Sequence, residues 1–216
     1  GQEHIVEILK NAASRDKLAH AYLFYGPRGT GKTSTARLIA KIANCETRQK
    51  ELTEAPTPMG GRSADINVSS EPCNNCRPCR EIDTGRALDV VEIDAASNRG
   101  IDEIRSLKES IVLSPSSYRY KIFIIDEIHQ LTKDAFNALL KTLEEPPAHA
   151  IFILATTEYE KVPATIASRT QRFHFKKLPV DGIIKKLQLI IKEEKTSTKS
   201  GPASGWKISD DALELI

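Results

Sequence analysis

The segment from residue 26 to residue 33, Gly-Pro-Arg-Gly-Thr-Gly-Lys-Thr, limits the possible folds of this chain more than any other. It fits the pattern Gly-x-x-x-x-Gly-Lys-Ser/Thr, with an apolar, strand-like run before it and a helical pattern after it. Glycines let successive backbone N–H groups turn toward phosphate oxygens, and the positive N-terminal end of the following helix strengthens the attraction. A chance glycine turn is the alternative, but the flanking strand and helix favour a phosphate-binding loop.

The pattern assigns chemical roles within the loop. We expect Lys32 to reach the β- and γ-phosphates of ATP, and the Thr33 hydroxyl to bind Mg²⁺. The candidate nucleotide-binding residues are Gly26, Pro27, Arg28, Gly29, Thr30, Gly31, Lys32, Thr33 and Ser34.

Short apolar runs alternate with helical patterns along the chain. Continuous rather than alternating hydrophobicity is typical of strands buried on both faces of a parallel sheet, and it occurs at residues 21–25, 89–94, 122–125, 150–155 and 172–175. Apolar residues recur at helical spacing in residues 34–44, 102–111 and 133–144. This alternation predicts an α/β fold with a parallel five-stranded sheet flanked by helices.

Two stretches lack this periodicity. Residues 47–72 are rich in Pro, Gly, Ser and Thr, and we expect a flexible insertion there. Residues 195–205 have a similar composition and are expected to form a loop between two helices.

Composition narrows the class of protein. A net charge of +2 argues against a surface that is basic throughout, although a local basic face remains open. No apolar run reaches the roughly 18 residues that a membrane span needs, and no signal peptide is recognisable, which predicts a cytoplasmic protein without a membrane partner. The chain begins without Met and stops within an apolar helical pattern, so we expect it to be a piece of a longer protein.

Two acidic residues, Asp126 and Glu127, follow the third apolar run. The carboxyl ends of strands are where an α/β sheet binds its ligands. We expect Asp126 to hold Mg²⁺ through water and Glu127 to polarise the water that attacks the γ-phosphate. An ordinary acidic strand end is the alternative, and the nearby phosphate loop makes it the weaker explanation.

Two more polar positions follow further along the chain. Thr157 ends the fourth apolar run, where its hydroxyl could bond the γ-phosphate or the attacking water, or merely cap the strand. Arg169 stands just before the fifth run. It is either surface charge or an arginine finger that enters the ATP site of a neighbouring subunit.

Four cysteines form a spaced set, in the order Cys45, Cys73, Cys76 and Cys79. In a cytoplasmic chain such clustering favours a metal over a disulfide. Four thiolates suit tetrahedral Zn²⁺ in a closed structural site, with no position left open for water. Free or redox-active cysteines are one alternative, and an iron–sulfur cluster is another.

Together these motifs resemble the AAA+ clamp loaders. The resemblance rests on residues 26–33, Ile124-Ile125-Asp126-Glu127, Ala155-Thr156-Thr157 and Ser168-Arg169. Three further segments narrow the resemblance to the gamma/tau family of bacterial DNA polymerase III. They are the cysteine insertion after the first helix, Glu-Ile-Asp-Ala-Ala-Ser at 92–97, and Phe-Asn-Ala-Leu-Leu-Lys-Thr-Leu-Glu-Glu-Pro-Pro at 136–147. The resemblance covers nearly the whole chain, with gaps at 47–72 and 195–205.

This family resemblance implies a domain organisation and a function. Residues 1–177 would be a P-loop AAA+ nucleotide-binding domain with a zinc module inserted at about 45–80, and 178–216 the truncated beginning of a helical lid domain. The chain would be an ATPase subunit of a hetero-pentameric ring. ATP binding would let the ring open the sliding clamp, and primer-template DNA would trigger hydrolysis and release of the closed clamp.

The resemblance also implies site residues. Lys32, Thr33, Asp126 and Glu127 would form the site in cis with Thr157 as its first sensor, and Arg169 would act in trans. Gln2 would lie in the segment that packs on the adenine. Because a loader accepts any sequence, DNA would be held by its phosphates, with Asn98 and Arg99 as candidates and Lys141 as a weaker one. A solvated helix start is the alternative explanation of Asn98 and Arg99.

The sequence departs from the family pattern in places. Thr170 stands where the family usually has a cysteine, which should matter little because Arg169 carries the charge. The second sensor arginine would lie beyond residue 216, and the segment 47–72 is longer than expected.

Three other functions fit these motifs less well. A non-hydrolysing ring scaffold like the delta-prime subunit is disfavoured by the intact Lys32-Thr33 and Asp126-Glu127 pairs, and another AAA+ motor, such as a branch-migration helicase, by the cysteine insertion. A stand-alone zinc DNA-binding module is disfavoured because the cysteines interrupt an ATPase core. No carboxylate arrangement for nucleotidyl transfer is evident apart from the ATP site, so polymerase chemistry is not expected from this chain.

Overall fold

The computed structural model describes residues 1–54 and 68–197. The chain divides into two compact units, one comprising Glu3–Phe175 and the other comprising Gly1–Gln2 together with Lys176–Ile216.

The larger unit is built on a five-stranded parallel sheet. Its strands are β1 (Ala21–Tyr25), β2 (Val90–Asp94), β3 (Lys121–Asp126), β4 (Ala150–Thr156) and β5 (Gln171–His174), and their order across the sheet is β2-β3-β4-β1-β5. Each pairing is parallel, with Tyr25 opposite Thr156 at the carboxyl ends of β1 and β4. The predicted parallel α/β sheet is therefore confirmed, and its strands lie within two residues of the expected positions.

The helices of the described residues are α1 (Glu3–Ser14), α2 (Lys32–Asn44), α3 (Glu46–Glu54), α4 (Arg77–Asp83), α5 (Ile101–Val112), α6 (Lys133–Glu144), α7 (Ala164–Ala167) and α8 (Val180–Ser197). Short 3₁₀ turns occur at Ile128–Gln130 and Tyr159–Lys161. The helical patterns expected after the phosphate loop, before β3 and before β4 correspond to α2, α5 and α6. None of the described helices is both long and apolar enough to cross a membrane.

Both faces of the sheet are buried, as the continuous apolar runs predicted. Successive residues of β3 point to opposite sides: Ile122 and Ile124 join the core under α1 and α2, while Phe123 and Ile125 join the core under α5 and α6. Each buried Ile or Phe side chain stabilises the fold by about 1.5–3 kcal/mol relative to an exposed one. Two-sided packing holds the strands rigidly, so the loops at their carboxyl ends start from fixed positions.

The expectation of a flexible insertion over residues 47–72 is wrong for its beginning. Residues as far as Glu54 belong to α3, and residues 55–67 lie outside the described part of the chain. The helix has little apolar periodicity because its buried contact is a charged one, through Arg48, which is 1% exposed. Arg48 donates hydrogen bonds to the carbonyl oxygens of Ser69, Ile42 and Ala13.

The loop expected at residues 195–205 is also partly corrected. Residues 195–197 belong to α8, and residues 198–205 lie outside the described part of the chain. In this smaller unit, the Gln2 side chain donates to Lys176 O over 2.7 Å and accepts from Lys176 N over 3.2 Å.

Candidate functional site

The glycine loop connects β1 to α2 at the carboxyl edge of the sheet. Gly26, Gly29 and Gly31 have φ angles of 144°, 73° and 97°, a region that side-chain-bearing residues rarely adopt. At Gly26 an added Cβ would also lie 2.1 Å from the carbonyl oxygen of Phe175. These positions therefore require glycine, and the loop turns its backbone toward α2 as a phosphate-binding loop does.

Lys32 begins α2 with its side chain folded over the loop. Its Nζ donates to the carbonyl oxygens of Gly26 and Pro27, both at 2.8 Å, and the residue is 7% exposed. Burial lowers the pKa of Lys32, and the nearby carboxylates of Glu127 and Asp126 oppose that shift. Within the described residues, this buried cation donates hydrogen bonds to neutral carbonyl oxygens and not to a carboxylate, so its charge is incompletely compensated and favours an anionic partner.

Thr33 and Asp126 are joined directly. The Thr33 hydroxyl donates to Asp126 Oδ2 over 2.9 Å, across 93 positions of sequence. Thr33 lies just after the loop that follows β1, and Asp126 ends β3. Because only β4 separates β1 from β3 in the sheet, the two residues come close together. Two hard oxygen donors thus lie together at the end of the loop, which suits Mg²⁺.

Glu127 is the first residue after β3 and has a left-handed backbone, with φ 48°. Such a conformation in a non-glycine residue costs about 1–3 kcal/mol and is found at functional sites. Its Oε2 accepts hydrogen bonds from Thr157 Oγ1 at 2.9 Å and from Thr157 N at 3.2 Å. Its Oε1 is 3.5 Å from Nε of Arg28, an arginine whose side chain is 87% exposed.

These groups line one cleft of about 430 Å³. Its lining contains the loop residues and both carboxylates, namely Arg28, Gly29, Gly31, Lys32, Thr33, Ser34, Asp126 and Glu127. Thr157 joins the site through Glu127. The structure therefore brings together the cation, the hydroxyl and the acidic residues that the sequence suggested.

Arg169 is not part of this cleft. It stands between α7 and β5, at the amino edge of the sheet, and a five-residue strand separates the two edges by roughly 15 Å. Its Nη2 is 2.5 Å from Glu144 Oε1, and its Nη1 donates to Thr165 O over 2.7 Å. Both side chains line a second cavity of about 500 Å³, beside residues 19–21 at the start of β1.

Asn98 and Arg99 lie in the loop between β2 and α5, at the same edge of the sheet, but they are not among the residues that line the cleft. Asn98 Nδ2 donates to Asp94 O over 3.0 Å, and Arg99 Nε donates to Ala96 O over 2.8 Å. These contacts stabilise the loop, and Arg99 is exposed. Gln2 belongs to the smaller unit.

The four cysteines form one cluster. Cys45 follows α2, Cys73 and Cys76 precede α4, and Cys79 lies within it. Their sulfur atoms all lie within 4.8 Å of one another and none is in a disulfide. The Sγ atoms in tetrahedral Zn²⁺ sites are roughly 3.8 Å apart, given a Zn–S bond of about 2.3 Å, so this cluster fits a zinc ion.

Backbone N–H groups already point at two of the sulfurs. Cys73 N donates to Cys45 Sγ over 3.4 Å, and Cys76 N donates to Cys73 Sγ over 3.3 Å. The side chain of Thr47 is the main cause that lowers the pKa of Cys73 to about 6, whereas burial raises the pKa of Cys79. The surroundings of Cys73 thus favour the thiolate form, whereas Cys79 is buried.

Sequence reasoning missed three side chains with evident roles in this geometry. They are His129, which is packed against Glu127; Glu144, which pairs with Arg169; and Arg48, which anchors α3. Each is an ordinary polar residue in the sequence, and only the fold reveals its partner.

The strand order and the site define an AAA+ P-loop fold, and solved structures share it. The RuvB Holliday junction branch migration motor of Thermotoga maritima superposes with a TM-score of 0.54 at 17% identity, over 90% of this chain and 52% of that chain. A variant of the same RuvB gives a TM-score of 0.55 at 18% identity, over 100% of this chain and 56% of that chain. At such identity the likeness concerns the fold alone.

The chain belongs to the family described as "DNA polymerase III, delta subunit", whose model matches residues 1–179. It is 50% identical to the tau subunit of Bacillus subtilis DNA polymerase III over 201 residues, 93% of this chain and 32% of that protein. It is 45% identical to the tau subunit of Escherichia coli over 90% of this chain and 27% of that protein. The gamma subunit of Buchnera aphidicola (Schizaphis graminum) is 45% identical over 100% of this chain and 52% of that protein. The resemblance to gamma/tau subunits is confirmed, and the chain spans about a third of the tau subunits' length.

Proposed function

We propose that this chain is the ATP-binding and ATP-hydrolysing part of a bacterial clamp-loader subunit of the gamma/tau type. One observation carries the proposal: Thr33, Asp126, Glu127 and Thr157 form a continuous hydrogen-bonded set beside a phosphate loop. A chain that only bound phosphate would not need a carboxylate such as Glu127 at this position, where it could orient an attacking water.

The loop and Lys32 would bind the phosphates. Lys32 Nζ now donates to two loop carbonyls, and the γ-phosphate would offer it stronger, anionic acceptors. Thr33 and Asp126 are the residues that would hold Mg²⁺, which would neutralise charge on the β- and γ-phosphates.

Glu127 would orient the attacking water and accept its proton, while Thr157 would act as a sensor. Thr157 donates to Glu127 in this structure, so its hydroxyl must exchange partners to reach a γ-phosphate. That exchange would link the presence of nucleotide to release of the Glu127 carboxylate.

Arg169 would act on the ATP of a neighbouring subunit. Its place at the amino edge of the sheet puts it roughly 15 Å from its own cleft, too far for a side chain to span. Glu144 holds the guanidinium in a half-exposed position, where a second subunit could meet it. The site of each subunit in a hetero-pentameric ring would thus be completed by its neighbour.

The cysteine cluster would hold a structural Zn²⁺ ion. Each of the four thiolates would occupy one tetrahedral position, leaving none for water. The ion would stabilise the segment that carries α3 and α4, without a part in ATP chemistry. We also propose that residues 1–177 form the nucleotide-binding domain, with 45–80 as its zinc module, and that 178–216 begin a lid domain.

The partners in this proposal are the other loader subunits, the sliding clamp and primer-template DNA in the cytoplasm. DNA contact would be made to phosphates by Asn98 and Arg99, whose loop precedes the N-terminus of α5. Sequence-independent contacts of this kind suit a protein that loads a clamp at any primer.

A non-hydrolysing ring scaffold is the second candidate, because the family description refers to a delta subunit. Such a scaffold would not need Lys32, Thr33 and the two carboxylates in one cleft. The intact cleft therefore favours the ATPase.

The decisive experiment is the ATPase assay of the full-length protein assembled with its partner subunits. Hydrolysis should rise when the sliding clamp and primed DNA are added together. Arg169→Ala should abolish most of that rise, on the order of a 10³-fold loss, without weakening ATP binding by the isolated subunit. Lys17→Ala, which changes an exposed lysine in the loop after α1, serves as the control. Absence of hydrolysis by the wild-type assembly would favour the scaffold.

A further inference from the structure

His129 lies next to Glu127 with its side chain only 4% exposed. Its Nδ1 is 2.9 Å from the hydroxyl of Thr156 and 3.4 Å from Glu127 Oε2. Its Nε2 is 2.8 Å from the side-chain amide of Gln130 and 3.1 Å from Glu158 Oε1. One nearly buried ring therefore connects the carboxylate at the end of β3 with two residues at the end of β4.

The contacts of the ring define its donor. Glu127 Oε2 is a carboxylate oxygen that only accepts, so we assign a ring proton to Nδ1, which faces it, while Nε2 lies near both the Gln130 amide and Glu158 Oε1. Nδ1–H then donates to Thr156 Oγ1 and also faces Glu127 Oε2. Thr156 Oγ1 is fixed in turn, since it accepts from Glu158 N over 3.0 Å.

The two oxygens of Glu127 differ sharply in their surroundings. Oε2 has the Thr157 backbone N–H, the Thr157 hydroxyl and His129 Nδ1 around it. Among the residues that the structure describes, Oε1 has only Arg28 near it, at 3.5 Å, on a side chain that is 87% exposed. The carboxylate is thus held by one oxygen, and the other is left for the cleft that Glu127 lines.

We propose that His129 is a positioning residue for Glu127: its Nδ1–H fixes Oε2 and thereby directs Oε1 at the attacking water. The proposal rests on the ATPase function proposed above. Thr157 has to leave Oε2 when it turns to a γ-phosphate, and His129, which is anchored to the buried Thr156, then keeps that oxygen in place. Glu158, held by Lys161 at 2.7 Å, faces the other side of the ring and limits its movement.

The test compares three substitutions in the full-length subunit assembled with its partners. His129→Ala removes the donor. His129→Asn places an amide N–H near the position of Nδ1, and His129→Gln places one near the position of Nε2. ATP hydrolysis is measured with clamp and primed DNA, together with ATP affinity of each isolated subunit.

We expect His129→Ala to lower kcat on the order of 10-fold, with KM and ATP affinity changed less than about twofold, because misplacing a catalytic group affects the chemical step. His129→Asn should recover most of kcat, and His129→Gln should not. Equal loss of ATP affinity in all three variants would reveal a structural role and overturn the proposal. So would an unchanged kcat in His129→Ala, or rescue by Gln in place of Asn. A failure of the proposed function would instead appear as an inactive wild-type assembly.

Discussion

The phosphate-loop cleft and the cysteine cluster are two polar sites in one α/β unit, and they are assembled in different ways. The cleft and the adjoining Thr157 combine residues from the ends of β1, β3 and β4, with 93 positions between Thr33 and Asp126. The cysteine cluster draws three of its four cysteines from one seven-residue stretch, Cys73 to Cys79. The cleft therefore depends on sheet topology, whereas the cluster depends on local chain geometry and on the metal it would bind.

This difference predicts that the two sites fail in different ways. Damage to the cleft should remove activity and leave the fold intact, because the sheet is stabilised by two apolar cores. Damage to the cluster should weaken the fold and leave nucleotide binding largely intact, because no cysteine lines the cleft.

The largest expected effect comes from Lys32→Ala. Removing the buried cation takes away a phosphate partner in a site of low dielectric, so ATP hydrolysis should fall on the order of 10³-fold. The midpoint of thermal unfolding should stay the same or rise, since burial lowers the pKa of Lys32 and its charge is held at a cost. Steady-state ATPase assays and calorimetry measure the two quantities, with Lys17→Ala as the control. A large fall in unfolding temperature would contradict the separation of the two sites.

The next effect concerns the metal. Cys79→Ser, or a strong chelator, should lower the unfolding temperature by roughly 5–10 °C, because zinc binding free energy contributes to folding free energy. ATP affinity should change less than about twofold. Zinc content by atomic absorption and thermal unfolding check the prediction, and Ser70→Ala provides a nearby change that removes no thiolate. Loss of ATP affinity together with zinc would mean that the cluster and the cleft are coupled.

The smallest of the three effects concerns Arg48, which attaches the segment carrying α3 and α4 to the rest of the fold. Arg48→Met keeps much of the buried volume but removes the hydrogen bonds to three carbonyl oxygens, and should cost about 2–3 kcal/mol of unfolding free energy. Ala13 O keeps the Asp16 N–H as a donor, so the carbonyl oxygens of Ser69 and Ile42 are the ones that lose most. Asp16 keeps Arg119 as a partner at 3.0 Å, so no carboxylate is stranded. Urea denaturation provides the measurement. A loss below about 0.5 kcal/mol would contradict a main role for Arg48 in holding the segment that carries α3 and α4.

The sequence predicted structure best where apolar residues follow a clear spacing or where several residues of one motif stand close together. The five strands and the helices α2, α5 and α6 follow from continuous or 3.6-residue apolar spacing. α3 did not follow, because its anchor is a buried arginine rather than an apolar stripe. The roles of His129 and Glu144 were equally invisible, since each depends on a partner from a different element.

The sequence by itself determined the chemistry available to this protein: a glycine loop ending in Lys32-Thr33, an acidic pair after a buried strand, and four cysteines at ligand spacing. These three features follow from the local order of residues, which fixes where the backbone can turn, which side chains are charged and which atoms can bind a metal. Only the tertiary structure decided which groups meet. In the sheet, β4 lies between β1 and β3, which brings Thr33 to Asp126 and Thr157 to Glu127. Arg169, which precedes β5, lies at the opposite edge of the sheet. The sequence does not give this arrangement, because strand order is set by packing of the whole sheet.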